Sequence, residues 1–134
     1  MKELLFENAD IVLESENDII IGTIKRSFLD YTLACKISKK RLEIFDGKSY
    51  PFLTDIKSIK ETTKEARDFL ASKDGCQNIT KGAILIDSAV TKIIANFFIG
   101  LSRPVIPSKI FTSEADAKKW LLKKSINKFT PLSK

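Results

Sequence analysis

Hydrophobic and polar positions change period several times along this chain. Ile11-Val12-Leu13-Glu14 and Ile19-Ile20-Ile21-Gly22-Thr23-Ile24 are short, β-branched runs on either side of Ser15-Glu16-Asn17-Asp18. Asn and Asp bond their own backbone in tight turns, so the pattern predicts two strands in a hairpin. From Tyr31 to Phe45 the period lengthens. Tyr31, Cys35, Ser38, Leu42 and Phe45 recur at four-three spacing with Ala34 beside them, while Lys36, Lys39, Lys40 and Glu43 fall elsewhere. This predicts an amphipathic helix with Cys35 as a core thiol. Asp46-Gly47-Lys48 ends it, because glycine accepts the left-handed geometry past a helix C-terminus.

Pro51 to Ile56 is apolar and led by proline, which suits the start of a strand. Thr62 with Glu65 three residues on predicts a capping box, and Ala66, Phe69 and Leu70 supply the buried stripe of a second helix closed by Lys73-Asp74-Gly75. Gly82 to Asp87 is nearly continuous in apolar residues, as expected of a strand covered on both faces. Ser88 then caps a helix with a broad apolar face of Val90, Ile93, Ile94, Phe97, Phe98 and Leu101, ended by Arg103-Pro104. Ser108 to Thr112 is another strand. Ser113 and Asp116 predict a second capping box, ahead of a stripe of Ala117, Trp120 and Leu121.

The order β-β-α-β-α-β-α-β-α predicts a single-domain α/β fold. Its mixed sheet has about five strands, near the average size, with an antiparallel N-terminal hairpin and crossover helices packed on it. The domain is expected over residues 1–124. Residues 125–134 have no clear period and form a tail, partly ordered or flexible.

The composition narrows the chemistry. The chain has 134 residues, 43% of them hydrophobic, enough for one real core, and it contains no histidine. That removes Ser-His-Asp and Cys-His hydrolases, zinc enzymes and two-histidine iron sites at once. Cys35 and Cys76 are far apart with no CxxC spacing, and no glycine-rich nucleotide loop is present. No enzyme, metal or cofactor is expected. No apolar run reaches the roughly 20 residues that span a bilayer. The N-terminus turns acidic before a signal-peptide core can form. The expectation is therefore a cytoplasmic protein without a transmembrane segment.

The net charge of +6 owes much to Lys118, Lys119, Lys123, Lys124, Lys128 and Lys134. The lysines of the last helix fall away from Trp120 and Leu121 with no aromatics between them, the pattern of a solvated face rather than a nucleic-acid platform. Glu14, Glu16 and Asp18 read as a solvated hairpin loop. Glu114 and Asp116 suit the positive end of a helix dipole.

Asp55-Ile56-Lys57-Ser58-Ile59-Lys60-Glu61-Thr62-Thr63-Lys64-Glu65-Ala66 resembles the strand-to-helix signature of STAS domains, the family of anti-sigma-factor antagonists whose fold is called SpoIIAA-like. In that family a strand-end aspartate leads into an Asp-Ser-Ser-Gly-Leu segment whose serine or threonine is phosphorylated by a partner kinase. With Asp55 aligned to that aspartate, Thr63 falls where the family has aspartate. Lys64 and Glu65 then occupy the serine positions, and Ala66 replaces glycine. A one-residue shift brings Thr62 or Thr63 into the acceptor role. The stretch from Gly82 through Asn96-Phe97-Phe98 to Ala117 is similar to a group of small STAS-like proteins of bacteria related to the Bacteroidetes. The similar segments span roughly residues 48–122.

The resemblance implies a non-enzymatic regulatory module that binds a protein partner. Thr62, Thr63 and Ser88 are the candidate contact or phospho-acceptor residues. As side chains, threonine and serine here are first of all helix caps, although a phosphoryl group would also meet favourable backbone N–H groups. The alternative is a carrier or sensor of a small apolar ligand such as a lipid or fatty acid, like the CRAL-TRIO lipid-transfer proteins with which STAS-like sequences are grouped. It rests on the apolar surplus from Ile93 to Leu101, more than one helix on one sheet needs. Ile94, Phe97, Phe98 and Leu101 are its candidates for a ligand wall or a homodimer surface.

Overall fold

The structure, a computed structural model, describes residues 1–123. The expected tail, residues 125–134 with Lys128 and Lys134, lies outside the described residues, as does Lys124. Six strands form the main sheet in the order β1 (Glu3–Glu7), β2 (Ile11–Glu16), β3 (Ile19–Ile24), β5 (Tyr50–Asp55), β7 (Ile79–Leu85), β8 (Ser108–Phe111). β1, β2 and β3 pair antiparallel, and β3, β5, β7 and β8 pair parallel. Two short strands, β4 (Phe28–Leu29) and β6 (Glu61–Thr62), form a separate parallel pair. The helices are α1 (Tyr31–Phe45), α2 (Lys64–Ala71), α3 (Ala89–Phe97) and α4 (Glu114–Leu122). A π-helical turn, Phe98–Ser102, continues α3.

The hairpin turns on Asn17 and Asp18, both at positive φ (51° and 65°). Two left-handed residues match the twist of the flanking strands, and Asn and Asp tolerate that geometry best. Pairing runs from Ile11–Ile24 to Glu16–Ile19 without a slip. The sheet has one strand more than the sequence predicts. The extra one, β1, is an edge strand with Leu4 and Leu5 exposed, so Glu3-Leu4-Leu5-Phe6-Glu7 shows no buried alternation to read.

Strand alternation divides the core in two. Ile11, Leu13, Ile20, Ile24, Phe52, Ile84 and Ile86 face α1, α2 and α3. Ile19, Ile21, Leu53, Ala83 and Leu85 face α4 through Ala117 and Leu121. The strands run across the sheet in chain order, so all three crossover helices lie on one face. The winding never reverses, so the ready-made crevice found at a reversal point is missing from this sheet. A binding site must be built between the layers instead.

Three helix faces differ from the sequence reading. In α1 the buried side is Leu33, Ala34, Ile37, Ser38, Arg41 and Phe45. Tyr31 is exposed, and Cys35 and Leu42 are only half-buried. The stripe is rotated because Asp30, whose carboxylate accepts from Leu33 N–H at 2.9 Å, caps the helix and sends Leu33 inward. In α3 only Thr91 and Ala95 are buried, while Val90, Ile93, Phe97 and Leu101 are exposed. In α4, Lys118 is not a free cation. It bonds Glu16 at 2.5 Å and Glu114 at 2.7 Å, and Glu114 also pairs with Lys2. Glu16 is thus part of an ion-pair network joining β2 to α4, not of a solvated loop.

Candidate functional site

The helix starts are as tightly determined as any part of the molecule. Thr63, not Thr62, is the N-cap of α2, and its Oγ1 accepts from Ala66 N–H at 3.1 Å. Thr62 ends β6 and donates its hydroxyl to the Leu29 carbonyl at 2.8 Å. The strand pair β4–β6 takes up the backbone of Thr62, which moves the cap one residue on. Ser88 caps α3 as expected, in a reciprocal box with Thr91. Ser113 Oγ accepts from Asp116 N–H at the start of α4. Thr63 lies between β5 and β7 and Ser88 just after β7, so both lie beyond the C-terminal ends of these neighbouring parallel strands. Thr63 is half-buried and Ser88 exposed.

The second set of candidates divides. Ile94 and Phe98 point inward, against the core under α3. Phe97 and Leu101 point outward and, with Val90 and Ile93, form an exposed stripe at helical spacing. The cause is local. Thr91 and Ala95, the only buried residues of α3, are small, and β7 contributes Gly82 to the same region. A Cβ added at Gly82 would come no nearer than 3.4 Å to Ile106 Cδ1. Space is left between the layers.

That space is a cavity of about 130 Å³ between the sheet and α1–α3. Its sheet wall includes Ile24, Phe52, Gly82 and Ile84, and its helix walls include Ile37, Leu70, Ile94, Ala95 and Phe98. The π-helical turn forms one rim. Arg103 N–H donates five residues back to the Phe98 carbonyl at 3.0 Å, and Ser102 Oγ ties the turn to Asp68 of α2 at 2.8 Å. Such turns recur at functional sites because they swing side chains out of helical register.

Two arginines line this apolar space, and the sequence reading missed both. Arg41 is 2% exposed and donates to the carbonyls of Gln77 at 2.9 Å and Gly75 at 3.3 Å. Gly75 is obligatory there, since a Cβ would fall 2.1 Å from the Phe69 carbonyl oxygen. The Arg41 guanidinium also lies over the rings of Phe45 and Phe52. Burial pushes its pKa down to about 10, which leaves it charged at neutral pH. Arg67 of α2 stacks on Phe97 at 5.4 Å from the ring centroid, and its Nε is buried with no hydrogen-bond partner. A buried donor left unmade costs about 1–3 kcal/mol. Among the described residues neither arginine has a carboxylate within ion-pair distance. Arg41 was legible in principle, since Leu33, Ile37 and Arg41 share one stripe at four-residue spacing.

The cysteines are free. Cys76 lines the cavity, donates its thiol to the Leu70 carbonyl, and has its pKa raised by burial, the signature of an inert thiol. Among the described residues no group of three His, Cys, Asp or Glu is placed to hold a metal ion. No described helix is long and apolar enough to cross a membrane.

A mixed sheet with three helices on one face, and a cavity between them, defines a SpoIIAA-like α/β fold. The chain is similar in structure to an uncharacterised protein of the DUF3478 family from Shewanella loihica, which has a SpoIIAA-like fold. The TM-score is 0.59 at 16% identity, over 90% of this chain and 95% of that one. A protein of unknown function from Arthrobacter sp. FB24 is 26% identical over 87% of this chain and 95% of that one, with a TM-score of 0.34, too low to bear on the fold. The chain belongs to the family described as a domain of unknown function, DUF7793, whose model matches residues 13–125. No curated protein matches it.

Proposed function

We infer that this protein is a non-enzymatic binding module whose central cavity takes up a small apolar ligand. The carrying observation is the cavity itself, about 130 Å³ lined largely by aliphatic and aromatic side chains. A comparable void of about 150 Å³ in another apolar core admits benzene. The capacity is therefore about one ring or a short chain, smaller than a membrane lipid. The α3 segment suits a sensor. Its inner residues Ile94 and Phe98 line the cavity while its outer residues Phe97 and Leu101 are presented to a partner, so occupancy inside can be felt outside.

A second reading, the STAS-type protein-binding module, draws on that same outer stripe and on Thr63 and Ser88 at one end of the sheet, with Thr62 behind them on the cavity wall. Native mass spectrometry of the purified full chain separates the two. The ligand reading expects excess mass that leaves on gentle activation as a small molecule, and that is lost in Phe98→Asp. The second reading expects a phosphoryl adduct or a co-isolated protein, lost in Ser88→Ala or Thr63→Ala. A bare chain that also gives no thermal shift with hexanol or benzene overturns the ligand reading.

A further inference from the structure

The cavity is apolar, yet it borders two guanidinium groups that form no ion pair among the described residues. Apolar ligands need no cation, and buried donors in folded proteins are as a rule paired. Arg67 Nε is buried and unpartnered. The neighbouring carboxylate on its own helix is already taken. Asp68 accepts from Lys64 Nζ at 2.6 Å and from Ser102 Oγ at 2.8 Å. Arg67 is held in place by its backbone bond to Thr63 and by the Phe97 ring. Arg41, on α1, spends its hydrogen bonds on neutral carbonyls alone. Carbonyl dipoles solvate a guanidinium but do not cancel its charge, so the cavity carries positive potential at neutral pH. A planar fork with a free N–H suits a carboxylate better than any neutral group.

We propose that the ligand is a small organic acid, with its apolar body in the cavity, its carboxylate accepting from Arg67, and Arg41 supplying further positive potential. This rests on the ligand reading above and gives that ligand its charge. The volume restricts the body to about one ring or some six carbons, by comparison with the benzene-sized void. Long-chain fatty acids exceed it.

The test compares hexanoate with hexanol at pH 7, where the acid is ionised, by amide NMR titration of the full chain. Hexanoate should bind at least tenfold tighter, since a charge-assisted hydrogen bond is added to the same apolar burial. Arg67→Met should bring hexanoate to the level of hexanol and leave hexanol unchanged. Arg67→Lys, which keeps the charge but lacks Nε, should recover only part of the preference. If Arg67→Met fails to fold, the wild-type pair decides by itself. Equal binding of the two probes, or tighter binding of hexanol, overturns the acid and leaves the cavity reading standing. Failure of both probes to shift the amides of Ile94 and Ala95 at millimolar concentration overturns both.

Discussion

The two faces of the sheet solve the same packing problem differently. On one face a single helix, α4, closes over Ile19, Ile21, Leu53, Ala83 and Leu85. Ala83 and Ala117 are small and matched across the contact, so helix and strand approach closely. Trp120 and Phe111 seal the side at 5.7 Å, and Lys118 bridges helix to hairpin. On the other face three helices cover a larger area yet fill it less well. There α3 and the π-helical turn leave Val90, Ile93, Phe97 and Leu101 exposed, and of α3 only the small Thr91 and Ala95 are fully buried. Hydrophobic content therefore does not decide how well a face is filled. Where the large side chains point decides it.

The largest expected break in this comparison is Leu53→Ala. Leu53 is fully buried in the closed layer, and truncation there should cost about 3 kcal/mol in chemical denaturation. A cost below about 1 kcal/mol would mean that the closed layer is as loose as the other. Gly82→Ala sharpens the contrast with the opposite sign. Its new methyl meets Ile106 and Ser108 at ordinary contact distance, and should stabilise by about 0.5–1 kcal/mol through partial filling and lower chain entropy. A loss of stability would show that Ile106 and Ser108 have no room to give.

The smallest effect concerns the network that fastens α4. Hydrogen bonds from Lys118 and the N-terminus lower the pKa of Glu16, and those from Lys118 and Lys2 lower that of Glu114, from an ordinary 4.5. A carboxylate depressed in the folded state adds stability above its unfolded pKa, and the gain fades as pH falls through the folded value. The wild type should therefore lose stability more steeply than Lys118→Met between about pH 5 and 3. Parallel pH profiles would show that the network is energetically silent, as many exposed pairs are.

Most of the frame was legible in the residues. The hairpin at Asn17-Asp18, α1 over its full length, the caps at Ser88 and Ser113, and the parallel strands after α1 all follow from local chemistry and period. These signals are short-range, so a single chain carries them. The errors also have local causes. The Thr62–Thr63 slip came from a strand pair two residues long, too brief to leave a pattern. The rotated face of α1 came from an aspartate cap that precedes the first apolar residue. Ile94 and Phe98 sit on the core side while Phe97 and Leu101 are exposed, because successive positions of a helix lie about 100° apart and only packing decides which of them face inward.

By itself, the sequence determined the class of fold, the order of its elements, and a charge and residue inventory without histidine. Only the tertiary structure decided that Arg41 and Arg67 meet an apolar space with no carboxylate in ion-pair distance among the described residues, and that Glu16 joins Lys118 across 102 residues. Hydrophobic period and capping report a residue's own neighbourhood in the chain. A cavity and an unpaired charge are properties of what fails to arrive from elsewhere, and that is settled only when the layers close.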